Sequence, residues 1–308
     1  MIESAASRLA GLRRALFHKR PGGAIAALLL VAIAVAAFSA PLIAPQNPFD
    51  LTSFDVLDAE LPPAWLEGGD SRFLLGTDSQ GRDLFSAILY GARISLTVGI
   101  LAVAIQAMIG IPLGLMAGYA GGRVDSFVAR AADVQLSLST LMLAIIALAL
   151  MRAALGGEVL GRLAVPLVVL VIGLAEWPYF ARTARAATLV EAVKDYVRAG
   201  RALGASNRSI LGRHILPNIL SPLIVVATTQ VAGAIMAEAA LSFLGLGLPV
   251  TQPSLGTLIR SGYDLLFTGI WWVTVLPGLT LIGLLVAVNL IGDALRDALD
   301  LRLSAASA

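Results

Sequence analysis

A single carboxylate interrupts a long apolar stretch in the second half of the chain. Glu238 follows the uncharged run 219–237. A carboxylate within such a run is costly to bury and normally faces protein or water, so it is a candidate functional group. Glu238 could line a translocation pathway, bind a proton, or form a purely structural hydrogen bond between helices. The sequence leaves these three roles open. A second acid, Glu176, lies next to Trp177 and Pro178 at the predicted inner end of an apolar run, and we interpret it as interfacial.

The remaining polar residues offer little catalytic or metal chemistry. The chain has two histidines, His18 and His214, and no cysteine, and histidines so far apart make a poor metal site. Neither Lys19 nor Lys194 follows a glycine, so the sequence contains no phosphate-binding loop of the Walker type. The HExxH and GxSxG patterns of hydrolases are also absent. We therefore expect no catalytic residue, no metal site and no bound cofactor in this chain.

The composition indicates an integral membrane protein. Hydrophobic residues make up 58% of the chain and charged residues 14%, and the mean hydropathy is +0.86. Uncharged apolar runs of about 18 residues or more recur, and each can cross a bilayer as a helix. The formal charge of +2 is too small to indicate a nucleic-acid partner. We expect an all-α membrane protein whose outer surface contacts lipid.

The apolar runs predict six transmembrane helices. They lie at 24–44, 94–116, about 134–151, 163–180, 219–237 and within 265–292. The corresponding segments are a cytoplasmic start 1–22, a first helix 23–44, an outer loop and lead-in 45–90, a helical core 91–292 and an inner tail 293–308. A short external loop around Arg152, Glu158 and Arg162 joins the third and fourth spans. This arrangement places most Lys and Arg residues inside, so the positive-inside rule puts both termini in the cytoplasm. The basic start could also belong to a secretory signal, but the length of the first run and Phe38 near its end favour a retained span.

Two glycine-containing patterns indicate how helices pack and end. Gly110, Gly114 and Gly118 share one face of a predicted span, and their spacing permits close helix approach in lipid. Residues 191–203 have the periodicity of an amphipathic helix, with Val193, Tyr196, Val197, Gly200 and Leu203 on the apolar side. Gly204 is placed to end that helix, Ser206 to cap a second one, and Pro217 to mark a break.

This polar segment carries a resemblance to a known family. Ala199-Gly200, three residues, Gly204, nine residues and His214-Ile215-Leu216-Pro217 resemble the EAA loop of bacterial ABC-importer permeases. Residues 75–84, 90–96 and 239–247 resemble the C-type permease of the dipeptide/oligopeptide branch. Arg198 replaces the glutamate of the motif and Gly200 its second alanine, and an extra glycine loosens a helix by about 1 kcal/mol.

The resemblance implies a fold, a site and partners. The fold would be a type I importer permease (MetI-like) core of five helices with one extra N-terminal span. The loop 183–216 would hold a coupling helix that docks on a cytoplasmic ATPase. Its docking residues would be Tyr196, Ala199, Gly200, Arg201, Ala202, Leu203, Gly204, Ala205 and Ser206. The partners would be a second homologous permease, two ATPase subunits that bind the ATP, and an extracytoplasmic substrate-binding protein, all at the bacterial inner membrane.

Other function classes remain open from the residues alone. A proton-coupled secondary transporter would use Glu238 and would carry inverted repeats, which are not evident in the sequence. The segment 191–217 could also be a basic loop that only obeys the positive-inside rule. A membrane scaffold would not need a structured loop of this spacing. The substrate and the role of the acidic outer loop 50–70 are undetermined.

Overall fold

A computed structural model describes residues 21–50, 55–155, 157–249 and 251–305. The predicted cytoplasmic start lies outside these ranges except for residues 21–22. Within the described ranges the chain is helical and no strand forms, so the prediction of an all-α fold is confirmed. The helices are α1 (Pro21–Phe38), α2 (Ala40–Ile43), α3 (Leu84–Ala120), α4 (Gly122–Ser137), α5 (Thr140–Leu155), α6 (Gly157–Ala192), α7 (Asp195–Ala202), α8 (Asn207–Ser209), α9 (Leu216–Phe243), α10 (Leu255–Tyr263) and α11 (Trp272–Ala305). A π-helical turn Ile210–Ile215 joins α8 to α9, and 3-10 turns occur at Val56–Asp58 and Asp264–Thr268.

Four helical stretches are long and apolar enough to cross a membrane. They are Leu84–Ala120, Leu163–Ala192, Asn207–Phe243 and Trp272–Asp297. A fifth is obtained if α4 and α5 are counted as one broken span. The apolar stretch Ala27–Phe38 of α1 is shorter than these. The described residues therefore contain four or five candidate spans, fewer than the predicted six.

The predicted third span, 134–151, is not one straight helix. The axes of α4 and α5 differ by 85°, and Leu138 between them is extended, with φ −96° and ψ 142°. The hydroxyl of Ser137 donates to the carbonyl of Val134 at 2.7 Å. Serine hydroxyls compete in this way with the regular helical pattern, and the helix ends here. The predicted loop around Arg152 is also wrong, because α5 extends to Leu155 and α6 begins at Gly157.

Other predicted boundaries also differ from the structure, because the helices are longer than the hydrophobic runs. The first long helix, α3, begins at Leu84, seven residues before the predicted core. Asp83 caps it by accepting a hydrogen bond from the backbone N–H of Ser86. At the other end of the chain, α11 continues through the predicted inner tail as far as Ala305. Hydropathy marks only the apolar middle of each helix, and capping residues set its ends.

The segment that precedes α3, predicted to be an outer loop, is held by side-chain contacts. Asp78 and Arg82 form a buried ion pair with an N–O distance of 2.6 Å, and the indole N–H of Trp272 donates to the carbonyl of Thr77 at 3.3 Å. These contacts connect the segment to the start of α11. The predicted outer loop is therefore a fixed structure that positions the start of α3.

The centre of the fold is the interface between α3 and α6. An ideal Cβ added to Gly110 would lie 2.5 Å from the carbonyl oxygen of Trp177, and one added to Gly114 would lie 2.4 Å from that of Ala181. For Gly118 the nearest atom is the carbonyl oxygen of Arg185, at 2.7 Å. Real Cβ atoms essentially never come within 3 Å of such neighbours. The three glycines therefore allow the two helices to approach more closely than any side chain would permit.

Candidate functional site

The segment between α6 and α9 is more finely divided than predicted. Helix α6 includes Glu191 and ends at Ala192, and α7 begins only at Asp195 because Lys194 is extended, with φ −71° and ψ 153°. The predicted helix 191–203 is thus wrong at its start. Gly204 follows α7 with φ +79°, a left-handed conformation that costs glycine nothing. The Ser206 hydroxyl accepts a hydrogen bond from the N–H of Ser209 at 3.3 Å, and Pro217 lies in the first turn of α9.

The predicted apolar face of this segment is split between the interior and the surface. Val197 is 1% exposed and packs with the central core, whereas Tyr196 and Gly200 are partly exposed. Val193 is 62% exposed and Leu203 is 88% exposed. The apolar side of the predicted helix is therefore not one continuous face, because Val197 packs inward while Val193 and Leu203 are exposed. Leu203 lies at the tip of the segment, beside the exposed residues Arg201, Ala202 and Gly204.

A tyrosine outside the segment holds this tip in place. The Tyr119 hydroxyl, at the end of α3, donates to the side chain of Asn207 at 2.9 Å. It also accepts a hydrogen bond from Nε of Arg201 at 3.1 Å. The Arg201 guanidinium lies over the Tyr119 ring, 4.7 Å from its centroid, as in a cation–π contact. Sequence analysis missed Tyr119, because its only signal is a position at the inner end of an apolar run.

A second tyrosine joins α7 to α6 and α9. The Tyr196 hydroxyl donates to the carboxylate of Glu191 at 2.6 Å and accepts from the amide of Asn218 at 3.3 Å. Burial, and after it the hydrogen bond to Glu191, raise the pKa of the Tyr196 phenol. The hydroxyl therefore remains a hydrogen-bond donor at neutral pH. Together with Tyr119, Tyr196 fixes the segment between α6 and α9 at the surface of the protein.

Glu238 lies within the protein, at the junction of α3, α9 and α10. Its side chain is fully buried. Ser95 of α3 and Ser242 of α9 each donate a hydroxyl hydrogen bond to it at 2.7 Å, and Ser254 before α10 lies beside it. Ser254 is in turn the N-cap of α10. A carboxylate with these hydroxyl partners ties three helices together.

Glu176 lies in a polar cluster that sequence analysis missed. Helix α6 continues to Ala192, so Glu176 lies near the middle of the helix and not at its end, and its interpretation as an interfacial residue stays a prediction. The side-chain amides of Gln106 in α3 and Gln230 in α9 donate to its carboxylate at 3.4 Å and 3.2 Å. Thr140 at the start of α5 lies nearby. The available signal was the position of Gln106 and Gln230 inside otherwise apolar runs.

Comparisons with known proteins agree with the resemblance found in the sequence. A family model described as "binding-protein-dependent transport system inner membrane component" matches residues 110–305. The di/tripeptide transport system permease protein of Pseudomonas aeruginosa is 41% identical, over 92% of this chain and 90% of that protein. The dipeptide permease of Escherichia coli K12 is 42% identical, over 93% and 91%. That of Haemophilus influenzae is 37% identical, over 93% and 92%.

A solved structure shares the fold. An inward-facing MetNI methionine ABC transporter contains a chain that aligns with a TM-score of 0.55 and 23% identity, over 69% of this chain and 96% of its own length. The resemblance to a C-type peptide permease with a MetI-like core is thereby confirmed. The chain belongs to the family of binding-protein-dependent transport system inner membrane components, and it is the multi-pass permease subunit of an ABC importer.

Proposed function

We propose that this permease imports dipeptides or other short peptides and forms half of their path across the membrane. The observation that carries the substrate class is the similarity to three permeases named for dipeptide or di/tripeptide transport, each over more than nine-tenths of this chain. The other half of the path would be a second, homologous permease. A substrate-binding protein would deliver the peptide from outside.

The segment 183–216 is the proposed coupling site for the ATPase subunits. Its tip exposes Leu203 and Gly204, while Val197, Ile210 and Ile215 are buried in the core beneath it. A large apolar side chain on a braced, exposed tip suits insertion into a cleft of a partner. The docking residues are the nine from Tyr196 to Ser206 named above. Two ATPase subunits would bind and hydrolyse the ATP, so this chain would need no nucleotide or other cofactor of its own.

The same account assigns Glu238 a structural role. Its burial and its serine partners hold α3, α9 and the start of α10 together at one point. The proton-coupled alternative, in which Glu238 would carry a proton across the membrane, receives no support from the comparisons. ATP would instead shift the transporter between two conformations, because it would bind one of them more tightly than the other.

Peptide uptake by the purified complex tests the proposed function. The four membrane and ATPase subunits would be placed in liposomes with the binding protein and radiolabelled dialanine. We expect uptake that requires ATP and the binding protein and that persists when a protonophore collapses the proton gradient. Uptake that needs the proton gradient and no ATP would contradict the proposal.

The proposed topology has six spans, with α1 as the first and both termini in the cytoplasm. Because the chain contains no cysteine, single cysteines can report its sidedness with a membrane-impermeant maleimide. In intact spheroplasts we expect Leu74→Cys to react and Ser7→Cys and Leu203→Cys to react only after permeabilisation. Reaction of Ser7→Cys from outside would contradict the proposed cytoplasmic N-terminus.

A further inference from the structure

The two carboxylates within the membrane helices, Glu176 and Glu238, differ in their exposure to solvent. Glu238 is fully buried among serines, whereas Glu176 is partly exposed. In α6 Glu176 lies 13 residues, about 20 Å, from the outer end of the apolar stretch at Leu163. Gln106 and Gln230 are similarly central in α3 and α9. Glu176 can therefore meet a solute within the membrane, whereas the buried Glu238 cannot.

The neighbours of Glu176 leave its negative charge uncompensated. Among the described residues, its hydrogen-bond partners are the neutral side chains of Gln106 and Gln230. Gln230 also donates to the side-chain oxygen of Gln106 at 3.1 Å, which fixes both amides. A carboxylate has about four lone-pair sites, so these two donors leave room for more. A charge at this depth normally faces protein or water and marks a pathway for ions or substrate.

The exposed face of α9 next to Glu176 differs from a face that contacts lipid. On α11 the exposed stripe carries large apolar side chains such as Leu279 and Ile282. On α9 the exposed residues beside Gln230 include Pro222, Thr229 and Gly233, together with the apolar Met236 about one turn further on. The Thr229 hydroxyl donates to the carbonyl of Val226 and keeps its lone pairs for an outside donor. This face suits the wall of an aqueous path.

We infer that Glu176, with the amides of Gln106 and Gln230 and the exposed face of α9, binds the ammonium group of the peptide as it passes. The inference rests on the proposed function and names the part of the substrate that this permease recognises. An ammonium group supplies three donors and the missing positive charge. A single carboxylate with mobile water nearby would hold the ammonium weakly enough to release it, as transport requires.

The first test is uptake of dialanine per ATP hydrolysed by the complex in liposomes. We expect Glu176→Gln to lower this ratio about tenfold, because the variant keeps the hydrogen-bonding shape and loses the charge. Glu176→Asp should retain part of it. Glu238→Gln, the same change in the buried carboxylate, should leave the ratio unchanged, since it alters packing and not the path. A native ratio in Glu176→Gln would overturn the inference.

The second test reads the contact directly and uses the native complex, so it holds even if Glu176→Gln fails to assemble. A carbodiimide activates carboxylates, and a peptide amine that lies against one displaces the activating group as a urea and forms an amide. Tryptic fragments 163–182 and 214–260 each contain one acid, Glu176 and Glu238 respectively. With dialanine we expect the mass increase on fragment 163–182 only, and none with N-acetyl-dialanine. Absence of the adduct, or its presence on fragment 214–260 alone, would overturn the inference.

The two tests separate this inference from the proposed function. If the native complex hydrolyses ATP but takes up no dialanine, the proposed substrate class fails. An adduct on fragment 163–182 with a simple amine, glycinamide, would still support a cation site at Glu176. If dialanine is taken up normally and Glu176 neither matters nor reacts, the proposed function stands and the cation site is excluded.

Discussion

Glycines recur in two regions of this permease, and their surroundings are opposite. In the α3–α6 interface, Gly110, Gly114 and Gly118 face the backbone of α6 so closely that any Cβ would lie within 3 Å of it. In the segment between α6 and α9, Gly204 and Gly212 have no neighbouring atom within 4 Å of an added Cβ. The first region is a rigid framework, and the second is a braced surface that leaves space for a partner.

The difference shows that a glycine pattern has to be interpreted with its neighbours. In lipid, small residues at four-residue spacing let two helices pack through their backbones. Beside a helix end, glycine instead supplies a left-handed conformation. Substitutions should therefore destabilise the fold in the first region. In the second they should act through backbone conformation or on the partner.

The largest effect is expected from Gly114→Leu. Its Cβ would lie 2.4 Å from the carbonyl oxygen of Ala181, and backbone cannot move aside as a flexible side chain can. Overpacking of this kind costs more than about 3 kcal/mol when it cannot relax. We expect a large loss of monodisperse protein in detergent, measured by size-exclusion chromatography. Gly278→Leu, in α11 where a Cβ meets nothing within 4 Å, is the control and should behave like the native protein. Equal yields for both variants would contradict the rigid framework.

A smaller effect is expected from Gly204→Ala. The space around Gly204 is open, but its φ of +79° costs an alanine about 1 kcal/mol. The variant should lower the melting temperature slightly and change the direction in which Leu203 is presented. Thermal unfolding and ATP hydrolysis of the assembled complex measure the two effects. Gly204→Asn, whose side chain tolerates this conformation better, should restore both. Failure of asparagine to improve on alanine would show that the left-handed turn is not the reason for the glycine.

The smallest effect, and of opposite sign, is expected from Gly212→Ala. Gly212 lies in the π-helical turn Ile210–Ile215, where the added methyl group meets no atom. Alanine favours a helical backbone over glycine by up to about 1 kcal/mol. The melting temperature should therefore rise by a degree or two. A clear fall would mean that the open side of this segment is filled in the assembled protein, and that the two regions are more alike than the single chain indicates.

Much of the fold follows from local sequence signals, and the exceptions have physical causes. Gly204, Ser206 and Pro217 could be assigned because turns and caps depend on single residues. The break at Leu138 could not, because it depends on a serine competing for a backbone carbonyl inside an apolar run. Tyr119 and Gln106 were missed for a different reason. Their roles arise from partners more than 60 positions away, Arg201 with Asn207 and Glu176 with Gln230, which no local pattern reveals.

The roles of the two carboxylates, Glu238 and Glu176, could not be assigned from the sequence for the same reason, since they depend on distant partners. Each interrupts or borders an apolar run, so the sequence marks both as unusual. Only the fold shows that Glu238 is buried among serines while Glu176 is partly exposed beside Gln106 and Gln230. The sequence alone left the role of Glu238 open and indicated only an interfacial position for Glu176.

The coupling role of the exposed tip is tested most directly by co-purification of the ATPase with a single variant. Leu203→Asp changes a side chain that is exposed and has no packing to lose, and Leu74→Asp makes the same change at an exposed leucine of the outer segment. We expect the native protein and Leu74→Asp to co-purify with the ATPase. The amount of ATPase that co-purifies with Leu203→Asp should fall at least tenfold, while the melting temperature of this variant stays unchanged. Full retention of the ATPase by a folded Leu203→Asp variant would contradict the coupling role of the tip.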